Sequence, residues 1–374
     1  SSTSWDSPTA WIWPMDPQPT RPTPTVMVAT VPSRVPAGAG YAAPVKVGDL
    51  TTPALVVDED VLRANQHAMS AALPGGRLRP HIKAHKCTGL AALQAEAGHR
   101  AFTCATIAEI EGMARVGLSD DLLLANEVVD ATRLGELVRG GVRVTMAVDA
   151  EPIIDAAAVA GVPEVLIDVN VGLPRCGCRP EDAGRLAELA RRRGLVVRGV
   201  MGYEGHIVGL PERDLRAERL ESSMSLLSGA AAEVGGDVVS AGGTGTYDLN
   251  HWATEIQAGS YLLMDTAYSQ LGLPFGQALS VLATVISVSA EWAVADCGLK
   301  ALGMDHGNPS IDNALVLLCS DEHVTFVPTD KVRVGDRIRV IPAHIDPTVA
   351  YHDRLHITDG EAVIETLPVD LRGW

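Results

Sequence analysis

The sequence predicts an α/β fold, a TIM (β/α)8 barrel over residues 46–272 followed by a mostly-β domain over residues 273–374. Alternation is the first reason. From Val45 onward short apolar runs take turns with Ala/Leu/Glu/Arg-rich stretches of helical period, roughly eight strands in a little more than 200 residues, the size of such a barrel. The second reason is where the polar residues fall: nearly every strand is followed at its C-terminal end by polar or Gly-rich residues, the end at which barrel sites are built. A doubly wound open sheet is the alternative, but no G-x-G-x-x-G follows the first strand. Third, beyond Leu273 the pattern changes to short alternating runs such as L-A-T-V-I-S-V-S and D-R-I-R-V-I-P, with turns at V-G-D and P-S-I-D-N.

Composition bounds the class. With 374 residues, 47% hydrophobic and 20% charged, the chain can bury a large core. Its net charge of -16 argues against affinity for nucleic acid or an anionic membrane and suits an acidic soluble enzyme. Six scattered cysteines without a C-x-x-C pair read as reduced thiols in a cytoplasmic protein, neither a disulfide frame nor a structural zinc site. Residues 1–45 are rich in Pro, Thr and Ser and lack any period, so a disordered leader is expected there, neither secretory signal nor membrane span.

Taken in order, T-P-A-L-V-V-D, Thr52 to Asp58, is a strand that precedes the barrel pattern and is expected to pair with the β domain. A helical pattern runs on through Leu73. Strand-like runs follow at 77–83, 102–106, 122–126, 142–149, 164–171, 196–202, 238–242 and 255–263, with helical patterns at 107–116, 131–139, 180–193 and 212–233 among them.

The chemistry begins at R-L-R-P-H-I-K-A-H-K, Arg77 to Lys86, a strand delivering Lys83 to a loop. His81 and Lys83 are two apart and on a strand would share a face. A lysine partly desolvated beside other cations becomes a nucleophile towards carbonyls, which makes Lys83 the candidate Schiff-base residue. S-A-G-G-T-G-T-Y follows the seventh barrel strand, where barrels commonly hold phosphate. Gly242, Gly243 and Gly245 let amides turn towards an anion, and Thr244 and Thr246 add hydroxyls. A phosphate cradle and a carbonyl-reactive lysine at one mouth point to pyridoxal 5'-phosphate (PLP). Arg175 follows a strand and would face the pyridine ring or a substrate carboxylate; Tyr203, in Y-E-G-H, would lie against the cofactor. His344 and Asp346 stand at i and i+2, so an extended backbone aims both at one point and suits a divalent cation, manganese, magnesium or zinc. H-D-R-L-H, from His352 to His356, is one substitution from a zinc-protease motif, but its flanking prolines and alternation predict strands instead of the required helix.

T-P-A-L-V-V-D, R-P-H-I-K-A-H-K, A-G-G-T-G-T-Y and the late H-x-D-P-T together resemble the D-threonine aldolase and D-serine dehydratase family, fold-type III PLP enzymes related to alanine racemase. The resemblance runs from about Val47 to the C-terminus. It implies an alanine-racemase-type barrel with a C-terminal β domain, PLP bound at Lys83, phosphate held by Gly242 to Thr246, Arg175 and Tyr203 on the cofactor, and a metal, manganese foremost, on His344 and Asp346. Aldolase-like members carry His and Asp at that pair, whereas dehydratase-like members carry His and Cys, so Asp346 favours an aldolase. The implied reaction is retro-aldol cleavage of a small D-3-hydroxy amino acid to glycine and an aldehyde, with His206 or a metal-bound water as base. A D-serine or D-threonine dehydratase and a 3-hydroxy-D-aspartate aldolase are alternatives; a non-catalytic PLP-binding barrel would lack the appended metal pair. A homodimer is also implied.

Overall fold

The computed structural model describes residues 45–374, so the leader expected over residues 1–45 lies, but for Val45, outside the described residues. The chain opens with β1 (Ala54–Asp58), α1 (Glu59–Ala72) and α2 (Thr88–Glu96). Asp58 ends the strand and starts the helix, its carboxylate accepting from the Val61 amide at 3.0 Å. Strand and helix then alternate: β2 (Ala101–Cys104), α3 (Ile107–Arg115), β3 (Asp121–Leu124), α4 (Thr132–Arg139), β4 (Val144–Val148), α5 (Glu151–Ala160), β5 (Glu164–Asp168), α6 (Ala183–Arg192), β6 (Val196–Gly202), α7 (Arg213–Val234), β7 (Val238–Ala241) and β8 (Glu255–Ile256). β2 to β8 form a seven-stranded sheet in sequential order, every pairing parallel. Strands such as Val144–Val148 are buried on both faces, as helix-covered parallel strands must be.

The run at Arg77 to Lys83 is not a regular strand. It makes single bridges on both sides, Leu78 to Ile256 and His81 to Thr103, so Leu78–His81 fills the gap between the two edges of the sheet. Backbone bonds from His81 to Ala258 (3.1 Å) and from Thr103 to Pro80 (2.9 Å) complete the seam, and Pro80, lacking an N–H, shortens the ladder there. Ile82–Ala84 then tightens into a 3-10 turn. The strand expected to reach Leu263 is likewise only Glu255–Ile256, followed by a 3-10 turn at Ser260–Leu262.

After a short α8 (Thr266–Ser269) come β9 (Leu279–Val288), β10 (Ala293–Ala295), β11 (Ser310–Ile311), β12 (Ala314–Cys319), β13 (Val324–Pro328), β14 (Arg337–Ile341), α9 (Ile345–Ala350), β15 (Arg354–Asp359) and β16 (Ala362–Pro368). Their sheet runs β10-β13-β12-β11-β14-β9-β1-β15-β16, with β10 returning to pair with β9. β1 thus lies inside this second sheet, antiparallel to β9 and parallel to β15. The chain's end returns to the barrel, where Asp370 accepts from the Thr88 amide (2.9 Å) and hydroxyl (2.6 Å) and caps α2.

The N-terminal ends of the barrel strands close over a buried ionic floor. Arg79, 2% exposed, reaches Glu255 at 2.7 Å and Asp121 at 3.1 Å. Arg198 binds Asp121 at 2.9 Å and the Thr145 hydroxyl at 2.6 Å, and Ser240 donates to Glu255 at 2.7 Å.

Candidate active site

Lys83 sits in the 3-10 turn that His81 caps, the Lys83 amide lying 3.5 Å from the His81 Nδ1. This overturns the shared face expected of a strand: His81 is buried beneath the turn while Lys83 reaches partly into solvent. Burial, then the charges of Lys83 and Lys86, hold His81 well below the ordinary histidine value, so it is neutral at pH 7. His85, lowered to about 4 chiefly by burial, continues a buried chain through Gln94 (3.1 Å) to the Tyr261 hydroxyl (2.9 Å).

The Gly-rich loop follows β7. Three of its predicted donors are already engaged: the Gly242 amide and the Thr246 hydroxyl both donate to Glu204, at 3.1 and 2.7 Å, and the Gly243 amide donates to Thr246 at 3.2 Å. Glu204 is fully buried, and burial raises its carboxyl above the usual range. The amides of Thr244 and Gly245 have no partner among the described residues, and the Thr244 oxygen accepts from the Tyr261 amide at 2.9 Å. A Cβ on Gly245 would stand 1.8 Å from the Val208 carbonyl oxygen, so only glycine lets the loop pass.

The Tyr203 ring joins the pieces. Lys83 Nζ lies 5.8 Å and Arg175 Cζ 5.3 Å from its centroid, and a Cβ on Gly243 would lie 3.6 Å from its edge. Burial, with Glu204 and Asp346 adding to it, pushes the Tyr203 phenol up to about 12. Neither the Lys83 ammonium nor the Arg175 guanidinium is in a salt bridge or hydrogen bond among the described residues. His206 lies elsewhere on this rim, exposed, where a Cβ on Gly172 would come within 2.8 Å of its ring. Burial, then Arg219, lowers its pKa.

His344 and Asp346 do come together, but not along an extended chain. His344 is extended and precedes α9, whereas Asp346 lies in that helix's first turn, and His344 Nε2 stands 3.7 Å from Asp346 Oδ2. Lys86 fastens this turn to the lysine turn: its ammonium donates to the carbonyls of Lys83 and, at 2.7 Å, of Asp346. His352 and His356 belong to neither cluster, bonding the Ala301 carbonyl (3.0 Å) and Thr366 (2.9 Å).

Two family models match the chain, "Alanine racemase, N-terminal domain" over residues 57–267 and "Putative serine dehydratase domain" over residues 278–358. A 3-hydroxy-D-aspartate aldolase of Paracoccus denitrificans (strain Pd 1222) is 32% identical over 89% of this chain and 96% of that protein. A D-threonine aldolase of Arthrobacter sp. is 32% identical over 88% of this chain and 96% of its own length. The crystal structure of D-threonine aldolase from Filomicrobium marinum superposes with a TM-score of 0.83 at 30% identity, covering 90% of this chain and 99% of that one. The chain belongs to the alanine-racemase-like family of PLP enzymes that holds the D-threonine and hydroxyaspartate aldolases and the hydroxyaspartate dehydratases.

This family depends on PLP, and these residues fit it: an unpaired lysine for the aldehyde, two unclaimed amides for the phosphate, and a flat ring beside both. A divalent cation fits as well. Ligands about 2.1 Å from one ion lie about 3.0 Å apart at right angles and about 3.4 Å apart at the tetrahedral angle. The 3.7 Å between His344 Nε2 and Asp346 Oδ2 is near that span. Glu204, Lys86 and Asp305 escaped the reading of the sequence. Y-E-G-H displays Glu204 but gives no sign that it faces the Gly-rich loop, and Asp305 meets His344 from 39 residues away in the chain.

Proposed function

We propose that this chain is a PLP- and divalent-metal-dependent carbon-carbon lyase cleaving D-3-hydroxy amino acids of the D-threonine type to glycine and an aldehyde. The observation carrying this reading is the meeting of Lys83, Arg175 and the Gly-rich loop on the Tyr203 ring. PLP, when bound, supplies the electron sink for the bond broken at Cα, and a divalent cation lowers the pKa of the β-hydroxyl. Lys83, its ammonium unpaired among the described residues, would hold the cofactor's aldehyde carbon. The Thr244 and Gly245 amides and the Thr244 hydroxyl hold its phosphate, with Gly242, Gly243 and Thr246 shaping the loop around Glu204. Arg175 supplies positive charge beside the ring. His344 and Asp346 hold the metal, manganese first and magnesium or zinc as alternatives. His206, neutral at pH 7 because its pKa is lowered, accepts the hydroxyl proton.

The match of residues 278–358 to a serine dehydratase domain favours a second reading, elimination of water from the same substrates. Asp346, where dehydratase-like members carry cysteine, weighs towards the aldolase. A homodimer is proposed, consistent with the exposed Leu315, Leu317 and Leu318 on β12. No helix among the described residues is long and apolar enough to cross a membrane. A cytoplasmic location is proposed from the six free thiols.

The test reads the visible spectrum of the PLP-loaded protein, traps the cofactor with borohydride, and follows D-threonine, D-serine and 3-hydroxy-D-aspartate with and without Mn2+. A band fixed to Lys83, with metal-dependent glycine and aldehyde, is the expected result. Oxo acid and ammonia instead select the dehydratase. A colourless protein that cannot be loaded overturns both.

A further inference from the structure

His344 has carboxylates at both ring nitrogens. On one side Nε2 stands 3.7 Å from Asp346; on the other Nδ1 stands 2.7 Å from Asp305 Oδ2. Asp305, His306 and His344 also approach one another closely enough to hold an ion by themselves, so the ring has two ways to serve a metal. We propose that Asp305 is a positioning residue, which accepts the Nδ1–H of His344 and turns Nε2 towards the metal shared with Asp346. This rests on the metal-dependent reading above and names a residue that reading does not use.

Three observations separate the two sides. The 2.7 Å contact has the length of a charge-assisted hydrogen bond and is shorter than two ligands around one cation would adopt, about 3.0 Å or more. The wider 3.7 Å gap on the other side has room for an ion. Position agrees: the Lys86 ammonium binds the carbonyls of both Lys83 and Asp346, which sets Asp346 beside the lysine turn, whereas the side chains that Asp305 meets are His344 at 2.7 Å and His306 at 3.8 Å. The fold also holds Asp305 in place. The Gly303 amide donates to the Thr348 hydroxyl at 2.9 Å, that hydroxyl donates to the His344 carbonyl at 2.7 Å, and a Cβ on Gly303 would stand 2.2 Å from Pro347. Two residues later the chain delivers Asp305. His306 stacks on His344, centroids 3.9 Å apart and planes 6° apart, fixing the plane in which Asp305 sets the tautomer. A carboxylate behind a metal-bound histidine typically changes metal affinity 10- to 100-fold.

The experiment measures Mn2+ binding to the PLP-loaded protein by the loss of free-ion EPR signal, for wild type, Asp305→Asn, Asp305→Ala, Asp305→Glu, His344→Ala and Asp346→Ala. Circular dichroism and PLP content are read beside it. His344→Ala and Asp346→Ala are expected to abolish binding. Asp305→Asn and Asp305→Ala should raise the Kd roughly 10- to 100-fold at unchanged stoichiometry, fold and PLP content, with Asp305→Glu recovering part of the affinity. An unchanged Kd in Asp305→Asn and Asp305→Ala, with the two ligand variants silent, overturns this inference alone. Complete loss in Asp305→Ala, with Asp346→Ala still binding, makes Asp305 a ligand and overturns it too. A wild type that takes up no Mn2+ overturns the metal reading and this inference together.

Discussion

Both ends of the barrel carry buried or half-buried charge, yet the two ends use it differently. At the floor every cation has a carboxylate: Arg79 lies between Glu255 and Asp121, Arg198 shares Asp121, and Arg143 reaches Glu164 at 3.1 Å. At the mouth Lys83 and Arg175 face one tyrosine ring with no anion on them, and two loop amides stand free. Paired charge offsets part of its desolvation cost within the protein, and breaking a pair is costly, whereas unpaired cations leave their charge open to an anionic ligand. On the proposed function, the floor serves stability and the mouth serves chemistry.

Substitutions can break that division. The largest effect is expected of Lys83→Ala, which should lower turnover by roughly four orders of magnitude or more while leaving the melting temperature of the PLP-free protein nearly unchanged. Assay of turnover beside a thermal melt checks both halves; a large loss of stability would blur the line drawn here.

Asp121→Asn should do the reverse. It leaves the buried Arg79 and the part-buried Arg198 short of their carboxylate and should cost about 3 kcal/mol, read by urea unfolding, with turnover per folded molecule preserved. Its pH signature has a definite sign. Burial opposes ionisation of Asp121, but Arg198 and Arg79 outweigh it and hold the carboxyl at about 2, below its ordinary 3.8. The stability that this contributes is full above about pH 4 and is lost as pH falls from about 4 to about 2. The variant should lack this part of the wild type's acid-induced loss.

A smaller effect tests the mouth's shape. Gly245→Ala drives a methyl into the Val208 carbonyl and should shift the loop, weakening PLP binding about tenfold, or about 1.4 kcal/mol, by fluorescence titration. An unchanged affinity would show that the loop holds no phosphate.

Much of this was readable beforehand because it is local. Alternation showed the barrel, and the Gly-rich run marked the loop after the seventh strand that is proposed to hold phosphate, since glycine content and strand position are both properties of short segments. The His344 and Asp346 pair was also visible, though for the wrong reason: α9 begins at Ile345, and one helical turn, not an extended chain, brings Asp346 beside the imidazole. Leu78–His81 read as a strand because its composition is that of one, and only closure of the sheet reduces it to two bridges. Glu204, Lys86 and Asp305 were hidden because their roles are set by partners distant in the chain. Lys86 shows the point: φ of +50° and an ammonium on two carbonyls cannot be read from H-K.

The position of β1 bears on how the molecule comes into being. Leu55 pairs with both Val281 and Leu355, so a strand made early in synthesis waits for one neighbour made just after the barrel and another made about seventy residues later still. The whole barrel is made before the second sheet can close, and β1 keeps the edge that β15 will cover bare for that interval. Closure of the sheet thus waits on the segment from Arg354 to Asp370: without it β1 lacks its parallel neighbour, and Thr88 the aspartate that caps its helix.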